Sequence, residues 1–145
     1  MTLLELVIAC SVLLILSSMA LPVFRYTVIR QKEAELKYDL RTMREAIDYY
    51  KELADLHKFR TAADSDNYPP DLDTLVKGVQ VGAGGDKRLR FLRSIPVDPM
   101  TGKADWGLRA SSDDWDSTTW GGKNVFDVYS KSMGTAMDGT KYSDW

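Results

Sequence analysis

The chain has one cysteine and one histidine in 145 residues. A lone cysteine excludes an intrachain disulfide, so any folded part must stand on packing alone. Cys10 lies inside an apolar run and reads as a small packing residue, with lipidation as the alternative. One histidine and one cysteine cannot build a Cys/His zinc cluster. His57 sits in a charged stretch and reads as a solvated side chain. No P-loop, GxGxxG, HExxH or GxSxG pattern is present, so the expectation is a protein that is not an enzyme. Positive charge is missing from the first 24 residues: all 19 Lys and Arg follow Phe24. They interleave with 21 acids for a net charge of −2. That balance gives neither a nucleic-acid footprint nor an acidic solvating tail.

What the chain does have is a long apolar run, Leu3 to Phe24. As an α-helix it would measure roughly 33 Å, enough for a hydrocarbon core of about 30 Å. A secretory signal peptide is a poor account of it. No basic segment precedes the run, it exceeds an h-region of roughly 7–15 residues, and the helical pattern continues beyond it. A plain membrane anchor explains the apolarity but neither Glu5 nor Pro22. A carboxylate at the centre of a membrane helix costs about 2.5–3.5 kcal/mol on insertion scales, and such residues are functional candidates by default. Glu5 is near one end, where snorkelling to the headgroups is the plainer reading. Pro22 removes an amide donor and crowds the carbonyl four residues back, which predicts a kink. Ser17 and Ser18 lie one turn upstream, in reach of the freed groups. Counting Arg25, Arg30 and Lys32 alone would place the following head in the cytoplasm.

From Arg25 to about Phe59 the pattern changes. Leu36, Leu40, Met43, Ile47, Tyr50 and Ala54 recur at steps of four and three, the signature of an amphipathic helix with one buried seam. A short coiled coil is the alternative. Glu33–Lys37 and Arg44–Asp48 are spaced as i,i+4 pairs. We therefore expect one helix over residues 1–59. Asp64 to Asn67 and Tyr68-Pro69-Pro70 end it. Leu72 to Val76 fits a helical turn, and Gly78 to Asp86 a glycine-rich loop. Arg88 to Arg93 reads as extended, stopped by Ile95-Pro96-Val97-Asp98-Pro99. Asp105 to Ala110 and Asn124 to Ser130 alternate as strands, with a third expected near Thr140 to Ser143. The resulting class is α+β, a long N-terminal helix packed on a small C-terminal antiparallel sheet. Its parts are an apolar helix at 1–24 and a head at 25–145. Within the head the helix continues to about 59, a loop region covers 60–103, and the sheet covers 104–145.

The string Met1-Thr2-Leu3-Leu4-Glu5-Leu6 with Pro22 resembles the mature N-terminus of type IV pilins and type II secretion pseudopilins. Met1 stands where that family usually carries Phe. Tyr68-Pro69-Pro70 with Leu72 and Leu75, Phe91 to Gly102, and Val125 to Ser130 are similar to segments of the major pseudopilin group. The resemblance implies a pilin fold and a structural subunit that polymerises through its N-terminal helix into a pseudopilus-like filament for type II secretion. It implies cutting before Met1 by a prepilin peptidase, methylation of the Met1 amine, and an anchor in the inner membrane with the head in the periplasm. The partners implied are other copies of the chain, minor pseudopilins and an inner-membrane assembly platform. Met1, Thr2, Glu5 and Pro22 become the assembly residues, Glu5 pairing with the Met1 amine of a neighbouring subunit. Two other functions stay open: a type IV pilin of an extracellular fibre, and a membrane-anchored binding or sensory module that does not polymerise.

The same resemblance raises calcium, held after the last strand. Calcium takes about six to eight oxygens. Lys131 and Met133 occupy the matching loop, leaving Asp138 and Asp144 as candidates. The plainer reading, which we favour, is an acidic turn with its carboxylates capping backbone amides. The run Asp113-Asp114-Trp115-Asp116 does not match an EF-hand. Tyr49, Tyr50 and the four Trp residues read as core or interface aromatics rather than an electron path.

Overall fold

The structure, a computed structural model, describes residues 1–82 and 87–145. It is α+β. Its elements are α1 (Leu3–Asp55), α2 (Leu72–Lys77), β1 (Val79–Gln80), β2 (Arg88–Leu89), β3 (Trp106–Arg109), β4 (Asp127–Ser130) and a 3₁₀ turn at Tyr142–Asp144. The chain divides into two compact units, Met1–Ala34 and Glu35–Trp145.

In the first unit the helix passes through Pro22 without interruption. The Ser18 hydroxyl donates to the Ile15 carbonyl at 2.7 Å. Residues 1–27 are all exposed within this single chain.

The second unit is built on the predicted seam. Leu36, Leu40, Met43, Ile47, Tyr50 and Ala54 are all buried, and they share one core with Leu72, Leu75, Leu92, Trp106, Val125 and Val128. Each large aliphatic side chain buried this way contributes about 1.5–3 kcal/mol relative to exposure. Tyr50 packs on Phe59 and Phe91, with ring centroids 4.9 and 5.1 Å apart.

The helix stops at Asp55, four residues short of the expected 59. His57 takes a left-handed backbone, φ 54°. Its amide bonds the Ala54 carbonyl at 2.9 Å, and the Lys58 amide bonds the Leu53 carbonyl at 3.1 Å. These are the two bonds of a Schellman motif, with His57 at the position that glycine usually fills. The turn that follows is latched by polar groups. Asn67 donates to Asp55 at 2.7 Å and accepts from Thr61 at 2.8 Å.

Helix α2 matches the expected turn. Asp71 caps it by accepting from the Thr74 amide at 2.7 Å. It ends at Gly78, φ 77°, where a Cβ would sit 2.5 Å from the Leu89 carbonyl oxygen. Only glycine fits both constraints. The expected strand from Arg88 is shorter than Arg93. Only Arg88–Leu89 pairs, with Val79–Gln80, antiparallel. After that the Phe91 and Leu92 amides both turn to the Leu75 carbonyl at 3.0 Å. The expected glycine-rich loop over 78–86 lies partly outside the described residues.

β3 and β4 form the second antiparallel pair, in the register Trp106↔Ser130, Gly107↔Tyr129, Leu108↔Val128 and Arg109↔Asp127. A Cβ on Gly107 would sit only 2.2–2.5 Å from three carbons of the Tyr129 ring. That ring also lies beneath the Arg109 guanidinium, 4.2 Å from its centroid. The strand expected at Thr140–Ser143 is a 3₁₀ turn, Tyr142–Asp144, preceded by a single bridge between Thr135 and Lys141. Tyr142 is buried and stacks edge-on against Trp145 at 5.2 Å. Burying that ring, rather than alternating side chains, sets the backbone there.

Candidate functional site

The sequence motif at the N-terminus forms a defined local structure. Leu3 is the first helical residue, so Thr2 is the N-cap and Glu5 the third helical position. The Glu5 amide donates to the Thr2 hydroxyl at 3.3 Å, and the Thr2 amide donates to Glu5 Oε2 at 3.4 Å. This is a capping box, which satisfies two of the orphan donors at a helix start. A carboxylate there also complements the positive end of the helix dipole. The Thr-x-x-Glu spacing carried this signal, and reading Glu5 only as an intramembrane acid passes over it. Among the described residues no ion pair includes Glu5 or the Met1 amine. The structure therefore brings Thr2 and Glu5 together and leaves Met1 and Pro22 apart from them in their bonding.

Around that cap the helix is apolar on every side. Leu3, Leu4, Leu14 and Phe24 are each about seven-tenths exposed or more. This is one helix long and apolar enough to cross a membrane. A surface of this kind needs lipid, or other protein, to cover it.

The calcium candidates do not assemble a cation site. Asp138 Oδ1 accepts from the Thr140 amide at 2.9 Å and the Thr140 hydroxyl at 2.6 Å, an Asx turn. These bonds hold its carboxyl below the usual carboxylate range. Asp144 accepts from the Ser143 hydroxyl at 3.2 Å. Among the described residues no group of three His, Cys, Asp or Glu side chains is placed to share a metal ion. With calcium wanting about six to eight oxygens, two separately engaged carboxylates do not fit it.

Two polar residues that the sequence did not single out hold the head together. Asp98, in the Ile95–Pro99 segment, is fully buried. It accepts from the Met100 amide at 2.8 Å and the Ser130 hydroxyl at 2.6 Å, joining the proline-rich turn to the end of β4. Asn124 is also fully buried. Its amide donates to the Ser65 carbonyl at 2.8 Å and to Ser111 Oγ at 3.0 Å, while its oxygen accepts from the Ser111 amide at 2.9 Å. Buried polar groups this well partnered specify a structure rather than strain it. Arg44, expected to pair with Asp48, reaches across instead to Asp127 at 2.6 Å and to the Val128 and Trp145 carbonyls. It thereby ties the helix to β4.

No protein-family model, no curated protein and no solved structure matches the chain.

Proposed function

We propose that the chain is a structural subunit that polymerises through its N-terminal helix into a pseudopilus-like filament serving type II protein secretion. The observation that carries this is a helix apolar on all sides over residues 3–24, begun by a Thr2–Glu5 capping box and continued by a spine with its own buried core. The first part needs a covering, and the second part does not. Before assembly the membrane supplies that covering, with the chain as a single-pass inner-membrane protein and its head in the periplasm. In the filament the same segments of neighbouring subunits supply it. The resemblance of residues 1–6 to type IV pilins and pseudopilins, and of residues 91–102 and 125–130 to the major pseudopilins, supports this choice. A prepilin peptidase, minor pseudopilins and an assembly platform are the partners it brings.

In this reading Glu5 has two roles in sequence. It caps its own helix in the lone subunit. It then meets the Met1 amine of a neighbour, methylated or not, and fixes the register. Removing one partner of a buried ion pair costs about 3–5 kcal/mol, enough to stop assembly. Two variants separate the roles. Glu5→Gln keeps the capping box, since Gln serves at that position as Glu does. Glu5→Leu loses both. We expect both to insert and fold, and both to fail in filament formation imaged after overexpression. Filaments at wild-type level from Glu5→Gln would remove the charge-pairing role.

A further inference from the structure

A cleft of about 980 Å³ opens at the end of α1, between the turn after the helix and the β1–β2 pair. Its described lining includes Lys58, Arg60 and Arg88 together with His57, and no acid among the described lining residues. Lys58 follows the helix C-terminus, where a cation suits the dipole. That account does not reach Arg88, which arrives from β2. Among the described residues Lys58, Arg60 and Arg88 join no ion pair.

The opposite surface occurs on the same chain. The loop after β3 projects Asp114, Trp115 and Asp116, all exposed, with Trp115 83% exposed. The loop is braced from within. Asp113 accepts from the Ala110 and Gly121 amides at 2.8 and 2.9 Å, and Arg109 donates to the Ser117 carbonyl at 3.1 Å. Bracing of this kind removes much of the ordering cost of binding. Neither Asp114 nor Asp116 takes part in an ion pair among the described residues. An exposed tryptophan between two free carboxylates has the composition of an interface anchor. Arginine and lysine are its natural counterparts, through cation–π contact with the ring and charge pairing with the acids.

We propose that the Asp114-Trp115-Asp116 loop of one copy seats in the His57/Lys58/Arg60/Arg88 cleft of another. The occupant is a second copy because the charge complementarity and the unpaired groups are both on this chain. Knob and cleft are different surfaces, so the contact is head-to-tail, and it builds a helical filament when its rotation does not close a ring. It rests on the filament reading and adds a second, polar contact to the apolar helix packing.

The test uses the full-length chain in membranes, with Cys10→Ser as background. Arg60→Asp with Arg88→Asp, and separately Asp114→Arg with Asp116→Arg, should each lower sedimentable assembly by about tenfold. All four changes in one chain should restore it. Full assembly by either reversed pair, or no restoration in the fourfold variant, overturns the contact and leaves the filament reading standing. A second readout does not need filaments. Trp115→Cys with Arg60→Cys, treated with a flexible thiol crosslinker, should give a ladder of multimers, whereas each single cysteine gives none. If the wild-type chain forms no filament, a ladder keeps the contact and monomer alone removes it.

Discussion

Residues 3–24 and residues 36–54 belong to one helix but use hydrophobicity in opposite ways. The first stretch is apolar on all sides and buries none of it within the chain. The second places six apolar residues three and four apart and buries all six. A stripe can be completed by one domain, because a single sheet and a few loops cover one side of a helix. A helix apolar all round cannot be completed that way. Its stability is a property of its surroundings, and sequence pattern alone distinguishes the two cases.

The sharpest way to break this comparison is to truncate equivalent side chains in each stretch. Ile47→Ala should destabilise the head by about 2–5 kcal/mol in denaturant melts. Leu13→Ala should leave that transition in place, because its side chain is exposed. A shift of equal size from both would mean that the two stretches are not energetically separate.

A second experiment asks whether polar burial matters as much as the seam. Asp98→Ala leaves the Ser130 hydroxyl and the Met100 amide without their acceptor. Hydrogen bonds to a charged group contribute about 1.5–3 kcal/mol each, so the loss should rival a core truncation. A drop below about 1 kcal/mol in the same melt would show that water replaces the carboxylate at no cost.

A smaller effect, of opposite sign, is expected where the helix ends. His57 holds a left-handed conformation that costs a non-glycine residue about 1–2 kcal/mol. His57→Gly should recover about 1 kcal/mol of stability, less the extra entropy of glycine in the unfolded chain. No gain in melting temperature would mean that the imidazole makes compensating contacts.

The smallest effect concerns acid. Asp66 is held below its usual range by bonds from Ser111 and Lys123, and Asp55 by bonds from Asn67 and Lys51. A depressed folded value gives stability that is present above the unfolded value, near about 3.9, and is lost as pH falls through the folded one. Asp39 runs the other way. Burial, then Glu35 and Asp98, push it up, so protonation relieves a cost as pH falls. The melting temperature of the head should fall between about pH 4 and pH 2, and more gently in Asp66→Asn. Asp66 takes a left-handed backbone, φ 51°, which asparagine accepts. Identical acid limbs for the two proteins would remove Asp66 as a contributor.

Much of the fold was legible because its signals are local and periodic. The buried seam follows from spacing alone, and α2, β3 and β4 from short patterns bounded by breakers. The misses have one character: each depends on a partner distant in sequence. Arg44 could be matched to Asp48 by spacing, but Asp127 lies nearer once the sheet is folded. The value of Asp98 depends on Ser130, and that of Asn124 on Ser65 and Ser111. Val79–Gln80 is too short to show alternation and becomes a strand only through Arg88–Leu89. The helix end was missed for another reason, since a left-handed histidine gives no glycine signal. At the candidate site the apolar run and Glu5 were plain, while the capping box was present in the spacing of Thr2 and Glu5 and went unread.

The pairing of Gly107 with Tyr129 has a consequence for descent as well as for packing. The ring occupies the space where a side chain at 107 would begin, so the two positions cannot drift independently. A lineage that acquires alanine at 107 must first, or at once, give up the ring at 129, and with it the seat for the Arg109 guanidinium. Any relative of this chain should therefore show either the glycine with a flat ring opposite, or a side chain at 107 facing something small. The mixed combination of side chain and ring should be missing.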